Sequence, residues 1–193
     1  FTAETFRARV EAAGAQVAIV DAVGDDYFAR HGQDGSTPWE IARIMQETSA
    51  ALLPDLLTRV QADTPAAILY DCMCPWGWYV ARAARLPAIA SYSLIPMTPH
   101  MMRDLRVLRL SMGAALKGIG SGMAAMRTAG LTAKIFGIEQ SGMMQLLNMP
   151  GDLCIVYSSA EFVPHAHTFS PAFKFVGWTL QELLSPRLLY FYD

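Results

Sequence analysis

Residues 66–93, AAILYDCMCPWGWYVARAARLPAIASYS, constrain the fold more than any other stretch of this chain. An apolar run without polar alternation ends at Asp71, a short loop and a helical segment follow, and a second apolar run closes at Ser93. Runs of this kind belong to strands buried on both faces, and a helix between two of them makes the pair parallel. The pattern returns at DLCIVYSS, residues 152–159, so the chain predicts an open α/β sheet of parallel strands with helices on both faces. Such sheets bind ligands in the crevice beyond the carboxyl ends of their strands. Asp71 stands at that edge, which makes it the first candidate functional residue.

The remaining pattern is consistent with one domain. Thr2 can cap a short helix with Phe6, Val10 and Ala13 on one face and Gly14 as its stop. AQVAIV, 15–20, predicts a strand, and the polar, Gly-rich stretch that follows predicts a loop. Ser36 or Thr37 with Pro38 opens a long helix to about Ala62, with Pro54 as a candidate kink. Strands at 66–70 and 88–93 flank a helix at 77–85. From Pro96 to Met149 the pattern is helical but loose, broken by glycines at 113, 118, 120, 122 and 130. After 152–159 comes a loop with one extended piece at 173–176, and PRLLYFYD predicts a new strand. The chain opens in mid-pattern at Phe1, which predicts a cut N-terminus.

Composition removes several classes of function. Hydrophobic residues make up 53% and charged residues 17% of 193, enough apolar surface for a large core and too much for disorder. A net charge of -2, with no basic stripe, argues against a nucleic-acid partner. LPAIASYSLIPMTPHMM, the most membrane-like window, holds three prolines and a histidine and falls short of the roughly 20 apolar residues of a span. The opening carries charges where a signal peptide would be apolar, and three cysteines suggest a reducing compartment. A cytoplasmic setting is the expectation.

Each candidate site has a plain structural alternative. Asp71 can cap the turn or helix after its strand, or it can orient and charge a catalytic base. Cys72 and Cys74 lack the further ligands a zinc site needs and read as reduced, half-buried thiols. His165 and His167 share one side of an extended segment but have no third ligand nearby. Trp76 precedes the expected helix and suits a pocket wall, whereas Trp78 and Tyr79 can equally seal the core. The methionines from Met97 to Met126 are core filler or a plastic wall for a bulky apolar ligand. No G-x-G-x-x-G follows a strand, and there is no P-loop and no G-x-S-x-G.

Several segments together resemble the N-terminal half of UDP-sugar-dependent glycosyltransferases of the GT-B fold, in particular their macrolide-type bacterial branch. FTAETFRARVEAAGAQV resembles the end of that family's second strand and the helix after it. YDCMCPWGWYVARAARLPAIASYS resembles its succession of Asp, Trp-Gly, helix and Leu-Pro-strand. DLCIVYSSAEFVPHAHTFSPAFKFVGW resembles the segment that closes the acceptor domain, and RLLYFYD the crossing into the second domain.

The resemblance implies a Rossmann-like acceptor-binding domain over 1–185 and the start of a crossing at 186–193. It implies a hexosyltransferase that moves a sugar from UDP to a hydroxyl of an apolar natural product with inversion, without a metal or other cofactor. In that scheme a histidine removes the acceptor's proton and Asp71 hydrogen-bonds and charge-stabilises it. Ser93 resembles a residue near the donor sugar and phosphate. Trp76, Met97 and Met101 would line the acceptor pocket.

The departures from the family are as informative as the match. Its first strand and His-bearing loop would precede Phe1, its donor domain would follow Asp193, and none of His31, His100, His165 or His167 stands at the position of the base. The fragment alone is therefore expected to be inactive. The alternative reading is a truncated, non-catalytic homologue that binds an apolar small molecule or a partner chain. An apolar face left open in such a domain would favour a homodimer.

Overall fold

The computed structural model describes residues 4–19, 37–103, 105–139 and 148–177. A 3₁₀ turn, Glu4–Phe6, leads into α1 (Arg7–Ala12), followed by α2 (Pro38–Asp63), β1 (Ile68–Asp71) and α3 (Pro75–Ala84). Then come β2 (Ala88–Tyr92), α4 (Pro99–Arg103), α5 (Leu105–Ile135) and β3 (Leu153–Val156). Two 3₁₀ turns, Ala160–Phe162 and Ala166–Thr168, precede β4 (Phe173–Phe175).

The four strands form one parallel sheet in the order β1-β2-β3-β4, as the apolar runs require. Tyr70 stands opposite Ala90, Ala90 opposite Cys154 and Cys154 opposite Phe173. Side chains alternate between faces along a strand, so this row and its neighbours Tyr92 and Val156 share one face. That face carries the core, packed with Trp78, Tyr79 and Val80 of α3 and Leu52, Leu53 and Leu56 of α2. Its three buried tyrosine hydroxyls each have a partner, as burial demands. The Tyr70 hydroxyl donates to the Met149 carbonyl at 2.7 Å and the Tyr92 hydroxyl to the Asn148 carbonyl at 2.6 Å. Tyr79 donates to Gln46 Oε1 at 2.8 Å and so ties α3 to α2.

Close approaches hold the layers together. A Cβ at Gly77 would run into the Tyr70 side chain, and one at Gly151 into the Ala88 carbonyl. Glycine at these two sites lets α3 and the entry to β3 lie directly on the sheet. Asp152 locks the amino ends of the strands. Its Oδ2 accepts from the Ala88 N–H at 2.9 Å and its Oδ1 from Arg82 Nη1 at 3.1 Å. Those two donors hold its carboxyl below the usual range, Ala88 acting more strongly than Arg82.

Thr37 caps α2 through the Glu40 N–H at 3.2 Å and Pro38 fills the first turn, as expected from Thr-Pro. Pro54 lies inside α2, which nevertheless runs on to Asp63. Several expectations are corrected. Residues 15–18 form no strand, and of 15–20 only Ile19 makes an isolated bridge, with Val20 outside the described residues. Trp76 does not precede α3 but lies in its first turn, because Pro75 at N1 starts the helix earlier.

The glycines from 113 to 130 do not break the third region either, since α5 runs unbroken through them. Gly118 and Gly122 face Trp39, where a Cβ would approach the ring to 3.0 and 3.2 Å. They form the notch that lets α5 pack on α2, and this tertiary gain outweighs their cost of about 1 kcal/mol each in a helix. The exposed methionines also correct the core-filler expectation. Met123 and Met126 point to solvent, while Ala125, Ala129, Thr132 and Ala133 make the buried face of α5. α1 buries no residue, and Phe6, in the 3₁₀ turn before it, is likewise exposed. Thr2, the loop at 21–36 and the strand expected in PRLLYFYD lie outside the described residues.

Candidate active site

Asp71 is the last residue of β1, and the ladder between β1 and β2 runs one step past it. The Cys72 N–H donates to the Ser91 carbonyl at 2.9 Å, which brings residues 71–73 alongside 91–93. Asp71 pairs with Ser91 in register, and Ser93, two residues on, falls on the same face. The Ser93 hydroxyl donates to Asp71 Oδ2 at 2.9 Å, and the Met73 N–H donates to Oδ1 at 2.8 Å. The second bond is an Asx turn, whose carbonyl side is closed by the Cys74 N–H on the Asp71 carbonyl at 2.8 Å.

Asp71 therefore does cap the turn after its strand. It does not cap α3, whose N-cap, Cys74, makes no side-chain bond. The Cys72 S–H adds a weak third donor to Oδ1 at 3.9 Å, and since an ionised carboxylate offers about four acceptor positions, room is left for one further group.

A cavity of about 180 Å³ opens beside this carboxylate, lined among others by Leu69, Tyr70, Asp71, Cys74, Trp76 and Val80. Asp71 and Trp76 are thus brought together in one place. Trp78 and Tyr79 take the other role expected of them and are buried in the core, with the Trp78 Nε1–H donating to the Pro150 carbonyl at 3.2 Å. Leu69, whose side chain alternates to the opposite side from Tyr70, is 65% exposed, and among the described residues β1 is an edge strand of the sheet.

The neighbouring thiols are chemically quiet. Burial, then the Asp71 charge, then Cys72 push the Cys74 thiol up to about 12. Burial and the Asp71 charge also raise Cys72, whose sulfur lies 3.9 Å from Asp71 Oδ1. Neither forms a thiolate nucleophile at neutral pH. All three cysteines are free, and among the described residues no group of three His, Cys, Asp or Glu could hold a metal ion.

Met97 lines a different and larger cavity, about 590 Å³, with Arg82, His100, Asn148, Phe169 and Phe173 among its walls. It lies by the last turn of α3 and the amino ends of β3 and β4, whereas Asp71 sits at a carboxyl end. Sequence reasoning missed Asn148, which clamps this wall in both directions. The Met97 N–H donates to Asn148 Oδ1 at 2.9 Å, and Asn148 Nδ2 donates to the Met97 carbonyl at 2.7 Å. No local pattern signals a clamp that spans so much chain. Met101 is positioned by its N–H bond to Thr98 Oγ1 at 3.1 Å and lines neither cavity.

His165 and His167 do not lie on an extended segment. His165 has φ 57°, a 3₁₀ turn follows, and the two ring centres are 6.2 Å apart. His100 stacks 5.6 Å from His165.

No protein-family model matches the chain, and no curated protein matches it in sequence. Solved structures do match the fold, which is that of one half of a GT-B glycosyltransferase: an open α/β architecture with a four-stranded parallel sheet. CalG4, the calicheamicin glycosyltransferase, superposes with a TM-score of 0.69 at 20% identity, over 92% of this chain and 44% of that one. The glycotransferase of kitacinnamycin superposes with a TM-score of 0.65 at 18% identity, over 90% of this chain and 41% of the other. This chain therefore spans less than half the length of either. Among the described residues no helix is long and apolar enough to cross a membrane.

Proposed function

We propose that these 193 residues are the acceptor-binding half of a glycosyltransferase that moves a hexose from a UDP-sugar to a hydroxyl of an apolar natural product. The observation that carries the reading is the Asp71 carboxylate. It is held by two donors at the carboxyl rim of the sheet, beside an aromatic-walled cavity, in a fold shared with half of each natural-product glycosyltransferase above.

In this reading Asp71 accepts a hydrogen bond from a histidine outside these residues, fixes its tautomer and stabilises its charge as it takes the acceptor's proton. The hydroxyl oxygen then attacks the anomeric carbon, the bond to the UDP oxygen breaks, and configuration inverts. Trp76 contacts the acceptor near the reacting hydroxyl, while Met97 belongs to its more distant wall and Met101, outside both cavities, supports the turn behind it. The domain ends near residue 185, and 186–193 lead toward the donor half.

The test is transfer from UDP-glucose to a panel of macrolide, polyketide and phenolic acceptors by the full-length protein. Wild-type turnover with a loss of about 10² to 10⁴ in kcat for Asp71→Ala supports the reading. Turnover that survives the substitution removes Asp71 from the mechanism. A second reading, a ligand-binding protein without chemistry, draws on the larger cavity, since a ligand there would have no contact with Asp71. It predicts acceptor binding by calorimetry with no UDP released.

A further inference from the structure

The bond between Ser93 and Asp71 carries a consequence for the reaction. The structural facts are a hydroxyl 2.9 Å from Oδ2, a Met73 N–H on Oδ1, and a strand register that places residues 71 and 93 on one face although they are 22 apart in sequence. An ionised carboxylate can only accept, so the shared proton is the serine's. A hydroxyl has one proton and two lone pairs, and this one has given its proton away.

We propose that Ser93 is a positioning residue for Asp71, which it holds in plane against the Asx turn. Toward a bound sugar nucleotide it then offers lone pairs alone. It can receive a hydrogen bond from a sugar hydroxyl but has none left to give to a phosphate oxygen. The inference rests on the glycosyltransferase reading and deepens it. With Met73 N–H on one oxygen and Ser93 on the other, the carboxylate cannot swing about its χ2 torsion without losing both donors. Its remaining lone pairs therefore keep one direction toward the base. Residues that orient a catalytic partner in this way commonly matter tenfold to a hundredfold.

The experiment compares Ser93→Ala, Ser93→Thr, Ser93→Cys and Asp71→Ala in the full-length protein. The readouts are kcat, KM for UDP-glucose and the pH profile of kcat/KM, with circular dichroism as the check on folding. Ser93 is exposed, so none of its variants disturbs the core. Ser93→Ala is expected to lower kcat roughly tenfold, with KM for UDP-glucose changed less than about threefold. The acid limb of its pH profile moves to lower pH, because a loosened carboxylate supports the imidazolium less. Ser93→Thr, which keeps the hydroxyl, restores most of the loss, and Ser93→Cys, a weaker donor, falls between.

A tenfold rise in KM for UDP-glucose with kcat and the acid limb unmoved overturns the proposal and leaves Ser93 as a donor contact. Wild-type behaviour of Ser93→Ala beside a dead Asp71→Ala overturns it while sparing the transferase reading. An active Asp71→Ala brings down both.

Discussion

The cavity at the carboxyl rim and the cavity beside β3 and β4 differ in volume and in the charge they carry, a carboxylate in the first and the Arg82 guanidinium in the second. The first holds about 180 Å³ and has a carboxylate in its wall, while the second holds about 590 Å³ and is shaped by Met97, Phe169 and Phe173. The difference follows from how each is built. The rim cavity is walled by α2, β1 and α3, and the ladder between β1 and β2 sets Ser93 against its Asp71. The larger cavity is assembled by side chains on connections, with the Asn148 clamp as its main fixed point. Ladder geometry suits a reacting atom, and adaptable walls suit a bulky ligand.

If the division holds, the two sites fail differently. Asp71→Ala gives the largest effect, the loss of 10² to 10⁴ in kcat, with little change in acceptor KM. Equal losses in both parameters would mean that Asp71 itself holds the acceptor. Next comes Gly77→Ala, whose methyl meets Tyr70 and forces α3 off the sheet under the rim site. Overpacking of this sort costs about 1–3 kcal/mol, read as a lower midpoint in urea with an unchanged slope. An unshifted midpoint would show that α3 is free to move.

Asn148→Ala frees Met97 and is expected to weaken acceptor binding roughly tenfold while kcat stays within about twofold, since two hydrogen bonds are lost far from Asp71. A fall in kcat instead would join the two cavities into one site.

The smallest effects are those of pH on the thiol at the rim. Cys74 is raised from 9.0 to about 12, so at pH 8 only about one thiol in ten thousand is ionised. Alkylation by iodoacetamide should therefore be slow and rise about tenfold per pH unit. A folded value above the unfolded one means that this group's contribution is complete below pH 9 and is lost as pH rises from about 9 toward 12. Tyr79, raised from 10.0 to about 12 by burial, acts in the same direction over a narrower window. Melting temperatures at pH 8, 10 and 11 check this, and a flat series would show Cys74 to be open to solvent.

Much of the architecture was legible before any coordinates. Apolar runs, Thr37-Pro38 and the glycine at the end of α1 are local signals, and each acts within a turn or two of the chain. They located β1, β2, β3, α2 and α3 to within a few residues, and they put Asp71 at a strand end. A resemblance in segment order supplied the fold, one half of the GT-B architecture, that the superpositions then bore out.

What the tertiary structure alone decided concerns residues far apart in sequence. Ser93 meets Asp71 because β1 and β2 pair in one register, and a shift of one residue would turn Ser93 to the other face. Gly118 and Gly122 continue a helix because Trp39 needs the space, so a residue that reads as a breaker becomes a packing device. Met123 and Met126 face solvent because the alanines and Thr132 form the buried face of α5. Periodicity and caps are energies of neighbouring residues and can be read along the chain. Register and close packing are energies between segments, and they exist only once those segments have met.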